Sequence, residues 1–235
     1  MRKIIFTILS IIVLILISIF VLLKIKSLKN PTAEEIFNNS LYNVVEVKAY
    51  SDTKSISYGS AVLINDTATF VTNYHVVSYK ESGNYKIFDN VEIRFSYEED
   101  YRTATTIKYD TALDLAIIKL ENTDGIDLRP IEFGDSNEIK SGNTVYSIGN
   151  GMNHGIGITE GIVSIPLVNI IYDDNYRSVI QCDLVINDGN SGGALLDNSG
   201  RLIGITTFRM KDSSLNPIYG IAYSIPINKV EEFLN

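Results

Sequence analysis

The sequence predicts an all-β protein built from two antiparallel barrels, and three observations predict it. From Ile36 onward, apolar residues recur at every second position in about a dozen short runs rich in Val, Ile, Thr and Tyr. Gly, Asn and Asp turns such as Asn65-Asp66 and Asn198-Ser199-Gly200 separate these runs. Helical spacing is nearly absent, so no crossover helices are available to join parallel strands. Barrels or sandwiches remain, and a sheet wound by helices does not.

Strands are expected, in order, over residues 41–50, 59–65, 70–72, 91–97, 103–109, 113–120 and 144–148, then 156–164, 179–186, 194–196, 202–208 and 220–225. Their branched and aromatic side chains fit a pleated, half-buried surface. An early helical turn is expected at 33–39. Residues 227–234 have an apolar spacing suited to a helix and start after Pro226. The two barrels split near residues 122–129, giving lobes of approximately 36–125 and 126–235 within one domain of 36–235.

A chain of 235 residues, 45% hydrophobic, can bury one sizeable core or two small ones. Its single cysteine, Cys182, excludes an intrachain disulfide and sits in the apolar run 179–186, as an inert buried thiol would. Of the 20 Lys and Arg, five (Arg2, Lys3, Lys24, Lys26, Lys29) lie within residues 1–29, which hold no acid. The other 15 face all 28 Asp and Glu, net −13. Such a body is repelled by phosphate backbones, which excludes nucleic-acid binding. With two histidines and one cysteine, no metal-ligand cluster is visible and no cofactor is required.

Residues 4–23 are uncharged and bracketed by Arg2-Lys3 and Lys24. At about 1.5 Å per residue, such a helix spans the ~30 Å hydrocarbon core. A signal peptide has an apolar region of about 7–15 residues and a small-x-small cleavage site. This run is longer and is followed by Lys-Ile-Lys-Ser-Leu-Lys. The expectation is one uncleaved transmembrane helix within residues 1–29, then a polar tether over 30–35.

Gly189-Asn190-Ser191-Gly192-Gly193 places a serine between glycines, as a nucleophilic hydroxyl on a sharp turn requires. In an α/β-hydrolase a histidine follows that serine. Here both histidines, His75 and His154, precede it. Chain order leaves His-Asp-Ser or Asp-His-Ser, and the second needs the crossover helices that are missing. Ser191 is the candidate nucleophile, with the N–H groups of Gly189 and Ser191 as oxyanion donors. His75, at the end of an apolar strand, is the candidate base, although such a histidine is by itself more often a core residue. His154 lies in a glycine-rich loop and is poorly preorganised. Asp114 is the candidate orienting carboxylate. Inside Leu113-Asp114-Leu115-Ala116 it needs a partner, and an imidazole N–H supplies one.

With these residues named, the chain resembles the HtrA (Deg) type of trypsin-like serine proteases. Thr72-Asn73-Tyr74-His75-Val76-Val77 is similar to that family's histidine motif, and Asp114-Leu115-Ala116-Ile117-Ile118-Lys119-Leu120 to its aspartate motif. Residues 186–196 match its serine motif, and Gly134-Asp135-Ser136, Ile148-Gly149-Asn150 and Gly161-Ile162-Val163-Ser164 its framework. The resemblance implies a chymotrypsin-like double β-barrel with a short C-terminal helix, catalysis between the barrels, polypeptide substrates and a homotrimer. It does not extend to the family's C-terminal PDZ domain. Asp188 stands where proline is usual, and Asn190 where digestive relatives carry an aspartate. By the same resemblance Val185 forms the base of the primary pocket, with Thr207, Phe208, Arg209 and Gly220 along its walls. An uncharged base suits small aliphatic residues; Arg209, folded over the pocket instead of solvated, would select acidic ones.

Two functions are carried forward. One is a membrane-anchored serine endopeptidase acting outside the cytoplasm on unfolded or damaged protein, by a His75-Asp114-Ser191 triad. The other is a catalytically silent polypeptide-binding module of the same fold.

Overall fold

The computed structural model describes residues 11–19, 30–52, 56–172, 174–211, 214 and 217–235. It divides into two units, Met1–Thr32 and Ala33–Asn235. In the first, residues 11–19 are helical with exposed apolar side chains. Among the described residues no helix is long and apolar enough to cross a membrane. Both ends of the expected 4–23 anchor lie outside the described residues.

The second unit opens with α1 (Ala33–Ser40), so residues 33–35 of the expected tether are helical. The first barrel contains β1 (Val44–Tyr50), β2 (Ser57–Leu63), β3 (Thr69–Thr72), β6 (Asn90–Arg94), β7 (Arg102–Asp110) and β8 (Leu115–Leu120). They close in the order β1-β2-β3-β8-β7-β6. The second contains β9 (Thr144–Gly149), β10 (Gly157–Tyr172), β11 (Asn175–Asp183), β12 (Ala194–Asp197), β13 (Leu202–Lys211) and β14 (Pro217–Pro226), closed as β10-β11-β14-β13-β12-β9. α2 (Ile227–Leu234) ends the chain and buries Ile227, Val230 and Phe233, spaced three apart on one face.

Closure leaves no free sheet edge and turns every second side chain inward. Phe70 and Phe95 meet edge to face at 6.1 Å inside the first barrel. Val145, Val163, Ile180, Leu195 and Ile203 fill the second. A third cluster joins the barrels, packing Val62, Val71 and Leu115 against Ile148, Ala194 and Ile205. At about 25 cal/mol per Å² of apolar surface, this shared core opposes separation of the lobes that form the cleft.

Two features depart from the sequence expectation. β4 (Ser78–Glu81) and β5 (Asn84–Ile87) form an extra hairpin. Its turn residues Ser82 and Gly83 both have positive φ, 51° and 86°, as a two-residue primed turn demands. The strands are short and largely polar, and only Ser78 is buried, so they show little inward-outward alternation to read. The β10–β11 hairpin is also much longer than the expected runs 156–164 and 179–186. Beyond bulges at 163–168 most of β10 is exposed, although Val168 and Ile170 pack with Val179 and Phe208, and Tyr172 stacks on Phe208.

Candidate active site

The antiparallel register of β3 and β8 pairs Thr72 with Ala116. Two steps further along, the Tyr74 N–H donates to the Asp114 carbonyl at 3.1 Å, and Asn73 Nδ2 donates to the same oxygen at 3.0 Å. A short 3-10 turn, Tyr74–Val76, then swings His75 over the Asp114 side chain. His75 Nδ1 lies 3.0 and 2.9 Å from Asp114 Oδ1 and Oδ2, and the His75 backbone N–H donates to Oδ1 at 3.1 Å. An ionised carboxylate only accepts, so Nδ1 carries a proton, and in the neutral imidazole Nε2 keeps its lone pair. The imidazole side chain is 43% exposed toward the cleft while the carboxylate is only 4% exposed.

Asp114 adopts φ 58°, a left-handed conformation that aspartate tolerates better than most residues. Burial pushes its carboxyl pKa up. The imidazole, the Arg177 cation and the Thr207 hydroxyl push it down and prevail, holding it below its ordinary value. Thr207 Oγ1 donates to Oδ2 at 2.8 Å, and Arg177 Nη1 lies 3.6 Å from the same oxygen.

Ser191 reaches the same cleft from the second barrel. The Gly189 backbone, at φ 95°, and the Gly192 backbone, at φ 84°, turn sharply on either side of it. A Cβ on Gly192 would overlap the Ser60 carbonyl oxygen and the Thr72 hydroxyl, so only glycine fits. Ser60 ties this loop to the first barrel. Its N–H donates to the Ser191 carbonyl and its hydroxyl to the Gly189 carbonyl, both at 2.8 Å. The Ser191 hydroxyl donates to the Thr207 carbonyl at 2.7 Å. Among the described residues, no hydrogen bond joins Ser191 to His75. His75, Asp114, Ser191, Asn187, Thr207 and Arg209 all line one cleft of about 700 Å³.

A family model for the trypsin-like peptidase domain matches residues 59–205. The chain belongs to that family. It is 32% identical over 212 residues to a probable periplasmic serine endoprotease, DegP-like, from Rickettsia conorii, covering 88% of this chain and 39% of the relative. It is 31% identical over 203 residues to the serine protease Do-like HtrA of Bacillus subtilis, covering 83% and 42%. Among solved structures, the HtrA-type protease AlgW with tripeptide superposes with a TM-score of 0.73 at 29% identity, covering 87% of this chain and 62% of that one. Within the trypsin-like family the chain is therefore of the HtrA type, and it spans about two fifths of the length of these curated relatives.

The residues expected to form the primary pocket fall in different places. Thr207, Phe208 and Arg209 line the main cleft. Val185 does not: it is 57% exposed and lines a separate cavity with Gly149, His154 and Asn187. It sits just beyond the end of β11, where the chain leaves the sheet and the side chain turns outward between buried Leu184 and Ile186. Gly220, at φ 76°, is near Asp183 on the β14 side and is not part of the cleft lining. Arg209 is folded inward, its side chain 17% exposed, with Nη1 donating to the Ile186 carbonyl at 3.0 Å and Asn187 Oδ1 at 2.8 Å.

Sequence reasoning missed Ser60, Thr72 and Arg177. Ser60 carries no local signature, because it ties the serine loop only once the barrels meet; Thr72 opens the histidine motif, but its close approach to Gly192 is not written there. Arg177 had one: it precedes Val179 by two residues and so shares its inward face on β11. Among the described residues no three His, Cys, Asp or Glu side chains cluster as metal ligands would.

Proposed function

We propose that this domain is a serine endopeptidase that cleaves polypeptides through Ser191, His75 and Asp114. The observation that carries the reading is the 2.9 Å contact between His75 Nδ1 and Asp114 Oδ2, which leaves Nε2 facing the Ser191 cleft as a proton acceptor. A rotation of Ser191 about χ1 releases the Thr207 carbonyl and turns the hydroxyl to Nε2. Ser191 Oγ then attacks the scissile carbonyl carbon while His75 takes its proton. Collapse of the tetrahedral adduct transfers that proton to the leaving amine. Water, deprotonated by His75, hydrolyses the acyl-enzyme in the same way.

Peptide geometry supports the oxyanion role of Gly189. The C=O of Asp188 accepts the Met152 N–H at 2.7 Å, and a trans peptide sends the N–H of Gly189 the opposite way. Neither the Gly189 nor the Ser191 N–H donates to another group among the described residues, so both are available to a developing oxyanion.

The inward Arg209 favours an acidic residue at the cleavage position over a small aliphatic one. Asp188, whose Oδ1 is 3.7 Å from Arg209 Nη2, would yield to a substrate carboxylate. Action on unfolded or damaged protein, assembly as a homotrimer, and a membrane anchor over residues 4–23 with this domain outside the cytoplasm carry over from the HtrA resemblance. The periplasmic naming of the Rickettsia conorii relative supports that placement.

The second reading, a silent polypeptide-binding module, is favoured by one observation: the Ser191 hydroxyl engages Thr207 and not His75. A fluorophosphonate probe separates the two. The protease reading expects covalent labelling that Ser191→Ala abolishes; a chain that never labels and never cleaves a denatured protein is the binder.

A further inference from the structure

Arg177 lies on β11, in the second barrel, with its guanidinium 5.6 Å from the Tyr172 ring, yet its side-chain hydrogen bonds and ion pair fall on the turn of the first barrel that precedes β8. Nε donates to the Ala112 carbonyl at 3.1 Å, Nη2 reaches the Thr111 carbonyl at 3.5 Å, and Nη1 stands 3.6 Å from Asp114 Oδ2. The side chain is 8% exposed. A cation so far from water is stable only where fixed acceptors surround it. Here the acceptors are two carbonyls and one carboxylate spread over four consecutive residues, matching the planar fork of a guanidinium and not the point charge of an ammonium.

We infer that Arg177 is a positioning residue for the proposed reaction, a clamp from the second barrel that fixes the Asp114 carboxylate against His75. The inference rests on the protease reading above. Asp114 needs such help because its backbone sits at φ 58°, a conformation that persists only when its surroundings over-determine it. From inside the turn, Asp110 Oδ1 accepts the Leu113 N–H at 2.9 Å. From outside, Arg177 holds the carbonyls of residues 111 and 112. The Asp114 carbonyl itself is held by Tyr74 and Asn73. The turn that carries the carboxylate is therefore held from three sides: from within by Asp110, by Arg177 and by the Asn73–Tyr74 segment.

The clamp also sets charge. The groups facing Asp114 are His75 and Tyr74 from the 3-10 turn, Thr207 from β13 and Arg177 from β11. Lys80, Asp174, Asp188 and Arg209 lie further along the same cleft. Of these, only Arg177 brings a permanent charge into contact with the carboxylate. Removing it leaves Asp114 freer to favour a protonated imidazole, so activity is lost at a higher pH on the acid side.

The test compares Arg177→Met, which keeps length and loses charge, with Arg177→Lys, which keeps charge and loses the fork. Peptide turnover is measured against pH beside melting temperature and the downfield proton resonance of the His75–Asp114 hydrogen bond. Expected for Arg177→Met is a fall in kcat of about 10- to 100-fold with KM nearly unchanged. The midpoint of its acid limb rises by about one pH unit. Arg177→Lys restores that midpoint and only part of kcat. The proton resonance shifts or broadens in both variants at temperatures where they remain folded. Variants that lose only melting temperature, with wild-type pH profile and resonance, overturn the clamp. A wild-type chain inert to both probe and peptide, with the resonance still moved by Arg177→Met, overturns the protease reading and leaves the clamp on Asp114 standing.

Discussion

Ser191 and Thr207 are joined by a 2.7 Å hydrogen bond from the serine hydroxyl to the threonine carbonyl, while the hydroxyl of the same threonine donates to Asp114 at 2.8 Å. Thr207 thus touches both the candidate nucleophile and the carboxylate that orients the candidate base. It occupies one strand position from which the side chain reaches the first barrel and the carbonyl faces the serine loop.

Thr207→Val keeps the branched shape and deletes the donor to a buried, ionised carboxylate. A hydrogen bond to a charged group contributes about 1.5–3 kcal/mol, so a kcat loss of roughly 10- to 100-fold is expected with little change in KM. Thr207→Ser retains the donor and most of the rate. Steady-state kinetics on the two variants decide the point.

Arg209→Leu replaces the inward cation with an aliphatic wall. A peptide library cleaved by the wild type should show cleavage after Glu and Asp, and the variant should shift to Val, Leu or Ala. Loss of the charged contact is worth about 1.5–3 kcal/mol, or roughly 10- to 100-fold in relative kcat/KM. Identical cleavage patterns from the two proteins would remove Arg209 from specificity.

Asp114 contributes a pH-dependent stability whose sign follows from its depressed pKa. The folded protein binds that proton less readily than the unfolded chain, whose carboxyl titrates near 3.8. The contribution is therefore complete above about pH 5 and is lost as the pH falls below 3.8 through the folded value. Asp114→Asn does not titrate, so the stability gap between it and the wild type should narrow over that acid range. Urea unfolding at pH 6, 4 and 3 measures the gap; a constant difference would contradict the assignment.

Burial pushes the Cys182 thiol up to about 12. The reactive species is the thiolate, so the native protein should resist thiol reagents at pH 8 and react at once on unfolding. Mass spectrometry after brief alkylation, with and without urea, reports both states.

Much of the fold was legible because burial in a barrel writes a period of two into the chain. Thr69–Thr72, Leu115–Leu120 and Ala194–Asp197 stand within two residues of the expected strands, and Ile227–Leu234 is helical as its spacing predicts. The β4–β5 hairpin was not legible, because its short strands carry too few apolar residues to mark a buried face. The β10–β11 extension was missed because burial along β10 there is only partial, and Arg177, although it shares the inward face of Val179, was passed over with it. Val185 was assigned by likeness to a pocket base, but its direction depends on where β11 ends, which is a property of pairing with β10 and β14.

By itself the sequence determined the strand pattern and which side chains could do chemistry, since these follow from local periodicity and residue type. Only the tertiary structure decided which groups meet. The Ser191 hydroxyl rests on Thr207, Arg209 folds inward and Arg177 reaches Asp114 across the barrels. Each of those contacts joins residues that are distant in the chain or set by the exit angle of a strand. Their geometry is therefore fixed by how two closed sheets pack, which no window of neighbouring residues encodes.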